Sequence, residues 1–472
     1  MNNPVLQGDN LVLQLSRIDQ LLTCGQYLWQ APAFHSQAIN EMHQRIFAAT
    51  PLKKAVGALD WESLEAVDAD PRLLFDVLSV ALDALVPGYA ATFRELDNFL
   101  LPPEEAALTT DVAIPFWLET GIGGRKLDQI RHFIRDVPEL RGNVVEWCAG
   151  KGHLGRLWLY HQNTLAGPTN EEGRGAPDRQ LKNDHPGTQV HSVEWQADLC
   201  GQGSQLAAQH QVKQTFYCRN VLQPLQWAEI GAPRHALALH ACGDLHRALL
   251  QHAEQEPLQT LILAPCCYHL TDDVHYRPLS KHVAKSSGLR LPKAALKLAV
   301  QGQVTGGRRI TKLRHTEVEW RLAYQLARDA FGAAEQDGCR DEGNNGPSRP
   351  IQAHQPNNAA KNAHQPLPNV PKALLSEDFE SFFRWACRQH NWQPPASIKP
   401  SNHDLWLTQA AQLHFKLKQL DLVRHSFRRL LELWLVLDRA VYLREQGYEV
   451  TVKVFCPYTT SPRNLLISAQ RN

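Results

Sequence analysis

The sequence lacks the features that mark fibrous, secreted and membrane-spanning proteins. It contains no run of about eighteen apolar residues, so we expect no membrane span. Ten cysteines in 472 residues are too few for a disulfide scaffold, and neither a C-x-x-C pair nor zinc-finger spacing occurs. The N-terminus lacks a basic segment followed by a continuous apolar one, which argues against a secretory signal. These absences predict a globular cytoplasmic protein with reduced thiols.

Basic and acidic residues balance over the whole chain but not along it. The formal net charge is +1, whereas residues 1–120 carry six basic and sixteen acidic side chains. Residues 277–315, the basic run, carry ten basic side chains and no acidic one. We expect this run, which includes Arg308 and Arg309, to bind a polyanionic substrate such as RNA, because phosphate contacts dominate nucleic-acid affinity. The alternatives are a solvated surface and a face that docks on the acidic N-terminal region.

Hydrophobic spacing divides the chain into regions of different type. Apolar residues three and four apart predict a helical N-terminal domain over residues 1–120. Short β-branched runs then alternate with helical stretches, which predicts a parallel α/β sheet in a core over residues 121–330. Residues 332–366 hold a single large apolar residue, so we expect a disordered linker or loop there. A helical insertion over residues 371–420 would precede a C-terminal helix and strands, residues 421–472, that complete the sheet.

A glycine-rich loop follows the first predicted strand of this core. Gly150, Gly152 and Gly155 satisfy the pattern G-x-G-x-x-G between a strand and a helix. Glycines at this point let the backbone approach a ligand closely and expose the amide end of the helix. The loop therefore predicts a nucleotide-like cofactor, with a simple tight turn as the alternative.

Two kinds of cofactor compete for this loop, a dinucleotide and S-adenosylmethionine. The methyl donor has no phosphate but carries a charged amino-acid tail, and Glu146 in the preceding strand suits that tail. Glu194, at the end of the second strand, suits the ribose hydroxyls of either cofactor. Asn220, after the third strand, is placed to bond the adenine amino group. Glu146 therefore favours the methyl donor over nicotinamide or flavin dinucleotides.

Several motifs carry a resemblance to a known family. They are Glu146-x-x-x-Gly150-Lys-Gly152-His-Leu-Gly155, His240-Ala-Cys-Gly-Asp244-Leu, Pro265-Cys-Cys-Tyr-His269 and Ser461-Pro-Arg-Asn464. They resemble class I methyltransferases that use S-adenosylmethionine, and within these the branch of methyltransferase-like protein twenty-five. That branch is similar to a transfer-RNA 2′-O-methyltransferase family with a comparable Cys-Cys-His-His element. The resemblance covers the core and the C-terminal segment.

The resemblance implies a Rossmann-like α/β core with a mostly parallel seven-stranded sheet, and it defines the reaction better than the acceptor. Cys148 stands where the wider family pattern has its first glycine, and we count it among the cofactor-binding residues. Lys126 lies in a segment that resembles the element covering the cofactor in this family. We expect Lys126 to contact a cofactor carboxylate or a substrate phosphate, and a solvated helix turn is the alternative.

The acceptor side is expected after the fourth and fifth strands. His240 and Asp244 are candidates for accepting a proton or aligning the acceptor, and His240 also for contacting the cofactor. The alternative is that they cap a strand and a helix. We predict that Tyr268 stacks on a base, that His269 acts as a base or holds a phosphate, and that Arg463 binds substrate. The alternative for Arg463 is that its neighbour Pro462 merely shapes the entry to the last strand.

The cysteines of these motifs are expected to be small buried fillers. A covalent nucleophile is one alternative, and a metal site that joins Cys242, Cys266, Cys267 and His269 is another. No spacing rule requires a metal, so none is predicted.

The sequence thus predicts a cytoplasmic S-adenosylmethionine-dependent methyltransferase that acts on RNA, either tRNA or rRNA. A protein methyltransferase that docks its partner through the helical N-terminal domain is the main alternative. A scaffold that binds the donor or RNA without turnover and a dehydrogenase are the others. We also expect that Glu146→Ala or Gly152→Asp abolishes donor binding in a protein that stays folded.

Overall fold

The computed structural model describes residues 5–48, 50–101, 112–165, 187–301, 308–332 and 366–471. Most of the predicted linker over residues 332–366 lies outside them. The described strands are β1 (Val5–Gln7), β2 (Asn143–Trp147), β3 (Gln189–Glu194), β4 (Gln214–Cys218), β5 (His235–Cys242), β6 (Thr260–Cys266), β7 (Glu449–Val454) and β8 (Leu465–Gln470).

These strands form one sheet in the order β1-β7-β8-β6-β5-β2-β3-β4. Strands β2 to β6 run parallel to one another, and β8 runs antiparallel to both β6 and β7. The predicted α/β class with its mostly parallel sheet is therefore confirmed. The sheet has eight strands rather than seven, because β1 pairs antiparallel with β7 at one edge. β1 comes from the segment predicted to be helical, and three residues are too short for a detectable strand pattern.

Helices cover both faces of the sheet. The strands are apolar because these helices bury them. β6 is buried along its whole length and β2 in all but its first residue, as expected for strands of a parallel sheet. The α-helices are α1 (Asp9–Cys24), α2 (Gln26–Trp29), α3 (Ser36–Phe47), α4 (Pro51–Val56), α5 (Trp61–Ala69), α6 (Pro71–Leu85), α7 (Tyr89–Glu95), α8 (Asp97–Leu100), α9 (Phe116–Glu119), α10 (Gly124–Arg135), α11 (His153–Leu165), α12 (Ala197–Gln209), α13 (Asp244–Gln255), α14 (Lys281–Ser286), α15 (Lys293–Leu296), α16 (Arg308–Gly332), α17 (Phe379–Gln389), α18 (Pro400–His425) and α19 (Arg428–Glu445).

The chain divides into two compact units that cut across the predicted domain boundaries. The sheet unit contains Met1–Trp29, Pro71–Gln303 and His425–Asn472, and the helical unit contains Gln30–Asp70 and Val304–Arg424. The first helix belongs to the sheet unit because its apolar face, with Leu11, Leu15 and Ile18, packs against the buried helix α19. Burial of that face, rather than position in the sequence, decides where the segment belongs.

The helical unit has an aromatic core of its own. The ring of Trp61 on α5 contacts the rings of His315 on α16 and His414 on α18. Phe383 on α17 stacks on Trp406 of α18. Among the helices of the described residues, none combines the length and apolarity needed to cross a membrane.

Candidate functional site

The glycine loop lies at the carboxyl edge of the sheet, between β2 and α11. Gly150 and Gly152 adopt left-handed backbone conformations with φ of 58° and 68°. A Cβ atom on Gly152 would overlap the side chains of Gln214 and Phe216, so that position accepts only glycine without rearrangement. A Cβ on Gly150 would meet no atom within 4 Å. The loop is thus packed on its Gly152 side and open on its Gly150 side.

Left-handed backbone at non-glycine residues marks the same edge of the sheet. Cys148 after β2 has φ 57°, His240 in β5 has φ 70° and Cys267 after β6 has φ 48°. Such conformations cost free energy and tend to persist where the surrounding structure imposes them, commonly at functional sites. The value at Cys148 explains why the wider pattern has a glycine there. Burial, with the nearby Glu194 carboxylate, raises the pKa of the Cys148 thiol and keeps it neutral.

Glu146 lies beneath the glycine loop and is 2% exposed. Its Oε2 accepts hydrogen bonds from the Ser192 hydroxyl at 2.6 Å and from Nε2 of Gln214 at 3.1 Å. Burial raises the pKa of Glu146, and the charges of Arg156 and Lys126 oppose that rise. The carboxylate therefore braces the loop from below through bonds to β3 and β4, as well as lining the cavity described next.

A small cavity of about 80 Å³ opens beside the loop, which is room for one end of a ligand and lies below the range of about 300–1,000 Å³ that is usual for whole ligand pockets. Five of the predicted site residues line it, together with His153; they are Lys126, Glu146, Cys148, Gly150 and His240. Burial lowers the pKa of Lys126, whereas the Glu146 carboxylate raises it. The cavity lining thus brings a basic and an acidic side chain together.

Glu194 ties the loop to the end of β3. Its Oε2 accepts the backbone N–H of Gly150 at 3.0 Å, and its Oε1 accepts that of Gln196 at 3.1 Å. Asn220 lies exposed in the turn after β4, where its Oδ1 accepts the backbone N–H of Leu222 at 3.0 Å. Glu194, Asn220 and Gly152 are outside the lining of the cavity, although β3 pairs with β2 and β4 pairs in turn with β3.

Trp195, which directly follows Glu194, is not among the residues predicted from the sequence. Its side chain is 66% exposed, an unusual position for a tryptophan outside a binding site. A large flat ring at a strand end beside a ribose-binding candidate is suited to stack on a purine. The signal was available in the sequence as an aromatic residue immediately after the strand-end acid.

On the acceptor side, His240 is the predicted residue that the structure places at the cavity. It interrupts β5, where the pairing with β6 shifts register between Leu239 and Cys242. Desolvation by the surrounding protein, with the charges of Lys126 and Arg463, lowers the pKa of His240 to about 4, although the residue keeps an exposed surface. The imidazole is therefore neutral at pH 7 and has a lone pair with which to accept a proton or a hydrogen bond.

Asp244 does not line the cavity. It is the first residue of α13, and its Oδ2 accepts the backbone N–H of Asp272 at 3.0 Å. Its backbone N–H donates to the carbonyl of Leu270, and Arg247 lies 3.8 Å from its Oδ1. These contacts match the alternative in which Asp244 supports the start of a helix, and here it also holds the loop after β6.

The ring of Tyr268 is buried and therefore not accessible to a base, contrary to the prediction that it stacks on one. The residue is 3% exposed, and its hydroxyl donates to the carbonyl of Pro265 at 3.3 Å. The guanidinium of Arg439 on α19 lies 4.8 Å from the ring centroid, and His246 meets the ring edge-on. The left-handed turn at Cys267 sends Tyr268 into the interior, where Arg439 covers it.

Asp438 and Arg439 are charged residues of α19 that lie buried, and each has hydrogen-bond partners there. Asp438 is 0% exposed and accepts hydrogen bonds from the Tyr276 hydroxyl, from the backbone of Leu279 and from the backbone and hydroxyl of Ser280. Arg439 donates from Nε to Nε2 of His246 at 2.8 Å. The two residues hold the loop that follows β6 from beneath.

Three cysteines meet where β5 and β6 end. Sγ of Cys242 lies 3.3 Å from Sγ of Cys266, and all three Sγ atoms, with that of Cys267, lie within 4.8 Å of one another. Hydrogen bonds from the other two thiols lower the pKa of Cys267. Nδ1 of His269 is buried and has no hydrogen-bond partner among the residues that the structure describes.

The Ser-Pro-Arg-Asn motif forms a turn before β8. The backbone N–H of Arg463 donates to the Ser461 hydroxyl at 3.3 Å. Asn464 is 1% exposed and bonds the carbonyl of Cys456 and the guanidinium of Arg429. The charge of Arg463 acts on His240 and on Cys267, so the predicted substrate residue is an electrostatic neighbour of the acceptor side.

The basic run is divided between the two units. The sheet unit carries its first six basic residues and the helical unit its last four. The nine whose side chains are described, Arg309 among them, are exposed, which leaves their charges accessible. The side chain of Arg308 lies outside the described part of the chain.

A family model described as a methyltransferase domain matches residues 177–273. The matched segment contains β3 to β6 with Glu194, Asn220, His240 and the cysteines, whereas the glycine loop precedes it. No solved structure matches the chain. The sheet order and this match together define an enzyme of the methyltransferase class, whose members generally take S-adenosylmethionine as methyl donor.

Proposed function

We propose that this protein is an S-adenosylmethionine-dependent methyltransferase of RNA, either tRNA or rRNA, that works in the cytoplasm. The observation that carries the donor assignment is the pairing of Lys126 and Glu146 in one cavity beside Gly150. The methionine end of the donor carries a carboxylate and an ammonium group, which match this cation and anion. A dinucleotide would instead bring its pyrophosphate close to the Glu146 carboxylate.

The other contacts follow the strand ends in order. The Glu194 carboxylate has lone pairs left for ribose hydroxyls, since each oxygen accepts one backbone N–H. Trp195 and Asn220 lie on the side expected for the adenine, one for stacking and one for polar contact. When bound, the donor supplies an electrophilic methyl group on a positively charged sulfur.

His240 is the proposed proton acceptor for the incoming hydroxyl or ring nitrogen. It lines the same cavity as the donor residues, and its imidazole is neutral at pH 7. Arg463 acts on it electrostatically, which supports a role in neutralising a phosphate of the acceptor. These roles are consistent with transfer to an RNA hydroxyl.

Two further observations favour RNA as the acceptor. The basic run has no acidic residue, and its described basic side chains are exposed. The motifs also resemble the branch of methyltransferase-like protein twenty-five and, through it, a transfer-RNA 2′-O-methyltransferase family.

The acceptor is tested by incubating the full chain with labelled donor and either purified RNA or purified protein fractions. We expect label in RNA that ribonuclease removes. Replacing Arg309 and Lys312, or Lys293 and Lys297, by alanine should weaken RNA binding and reduce the salt dependence of log K by about 2, since each pair removes two phosphate-binding charges.

Replacing Lys53 and Lys54, which are exposed but lie outside the basic run, provides the matched control. This variant should keep the salt dependence of the parent protein. Label only in the protein fraction, or RNA binding that is independent of salt, would contradict the RNA assignment and favour a protein acceptor.

A further inference from the structure

The cluster of three thiols at the ends of β5 and β6 has no role in the proposed transfer. Cys242 and Cys266 are the last residues of neighbouring parallel strands and pair across the sheet. Successive residues of an extended strand point to opposite faces, so Cys267 would ordinarily point away from Cys266. Its left-handed backbone, with φ 48°, instead lets its thiol join the other two. The strained backbone of Cys267 thus brings the three sulfur atoms together.

The sulfur geometry suits a tetrahedral metal ion. Zinc–sulfur bonds of about 2.3 Å at tetrahedral angles hold sulfurs roughly 3.8 Å apart. The observed separations, from 3.3 Å between Cys242 and Cys266 up to a limit of 4.8 Å, bracket that value. No disulfide links the cysteines among the described residues, so all three thiols remain free to ligate.

A candidate for the fourth ligand stands just outside the group of three sulfurs that lie within 4.8 Å of one another, and a charge partner is also near. His269 follows Cys267 by two residues, and its buried Nδ1 has no hydrogen-bond partner among the described residues. A neutral imidazole nitrogen without a partner is a ready metal ligand. Three thiolates and one imidazole around Zn²⁺ carry a net charge of −1, which the neighbouring Arg463 offsets.

We propose that Cys242, Cys266 and Cys267 bind one zinc ion, with His269 as the fourth ligand. Sulfur-rich sites of this kind select zinc over harder cations. Because four protein ligands leave no open position, the ion is structural: it joins the ends of β5 and β6 just after the register shift that exposes His240. The zinc-finger spacing is absent from the sequence because the ligands come from two separate strands.

Metal analysis of the full chain, purified without chelator, tests the proposal. We expect one zinc per chain in the parent protein and loss of zinc in Cys242→Ser and Cys266→Ser. Cys387→Ser, which changes a buried cysteine of the helical unit outside the cluster, should retain the zinc. Replacement of zinc by cobalt should produce the visible absorption of a tetrahedral thiolate site.

A second measurement does not depend on whether the variants fold. In the native parent protein the exposed thiols of Cys24 and Cys218 should alkylate quickly, whereas the three cluster thiols should react only after a chelator is added. A protein that contains no zinc and takes up none, variants that keep it, or a disulfide between Cys242 and Cys266 would overturn the proposal. Donor binding is measured in a separate experiment, so the zinc result neither supports nor contradicts the proposed methyl transfer.

Discussion

Alanine at Gly152 should cost the protein far more stability than alanine at Gly150, although both glycines lie in the same loop. Both positions are left-handed, so either change carries a conformational cost of about 1–2 kcal/mol. Only at Gly152 does the new methyl group overlap Gln214 and Phe216, which adds an overpacking cost of about 1–3 kcal/mol. We therefore expect Gly152→Ala to lose about 2–5 kcal/mol and Gly150→Ala about 1–2 kcal/mol.

The affinity for the methyl donor should also distinguish the Gly150 variant from the Gly152 variant. A methyl group on Gly150 enters open space on the cavity side of the loop, so Gly150→Ala should stay folded and lose donor affinity. The structure thereby corrects the expectation for Gly152→Asp, because that side chain would collide with β4 and disturb folding. Gly150 is the position at which binding can be removed from a folded protein.

Denaturant unfolding followed by circular dichroism measures the stabilities, and calorimetric titration with S-adenosylmethionine measures the affinities. The parent protein and Gly447→Ala, a left-handed glycine in open surroundings just after α19, serve as references. Equal losses of stability in the Gly150 and Gly152 variants would refute the packing argument. Unchanged donor affinity in Gly150→Ala would refute the placement of the donor beside the loop.

Three other predictions follow from single side chains. Trp195→Ala should weaken donor binding by about 1–3 kcal/mol through lost stacking, whereas Trp195→Phe should retain most of the affinity; equal affinities in calorimetry would exclude the stacking role. Burial lowers the pKa of His153 to about 3, so between about pH 6.5 and 3 the unfolded chain binds a proton that the folded chain excludes, and the free energy of unfolding falls as the pH drops through this range. His153→Gln should make this loss of stability shallower, and an identical pH profile in the variant would count against the explanation. Asp438→Ala should destabilise the sheet unit by about 3–5 kcal/mol, because four hydrogen-bond donors lose their buried acceptor, and a loss below about 1 kcal/mol in denaturant unfolding would contradict that account.

The parallel sheet was predictable because its strands are short β-branched runs bounded by turn residues. Their ends also located His240 and the glycine loop, since parallel strands place their carboxyl ends at one edge. The sequence did not predict the side-chain contacts between residues that are far apart along the chain. Nothing near Tyr268 in the sequence indicates that Arg439 covers its ring. Nor does the sequence around Glu146 show that Ser192 and Gln214 engage its carboxylate.

The division into units was hidden for the same reason. Residues 30–70 belong with residues 304–424, which lie far along the chain, because their aromatic and apolar faces pack together. Periodicity reports which face of a helix is apolar but not which partner covers it. The basic run is continuous in sequence and yet is shared between two units, which charge counting alone does not show.

Calorimetric titration of the full chain with S-adenosylmethionine, and separately with NADH, tests the central assignment most directly. We expect micromolar donor affinity, about −8 kcal/mol, and no binding of NADH. Lys126→Ala should weaken donor binding, while Lys213→Ala, an exposed lysine next to the amino end of β4, should not. Absence of donor binding, or equal affinity in the two lysine variants, would contradict the assignment of this cavity to the methyl donor.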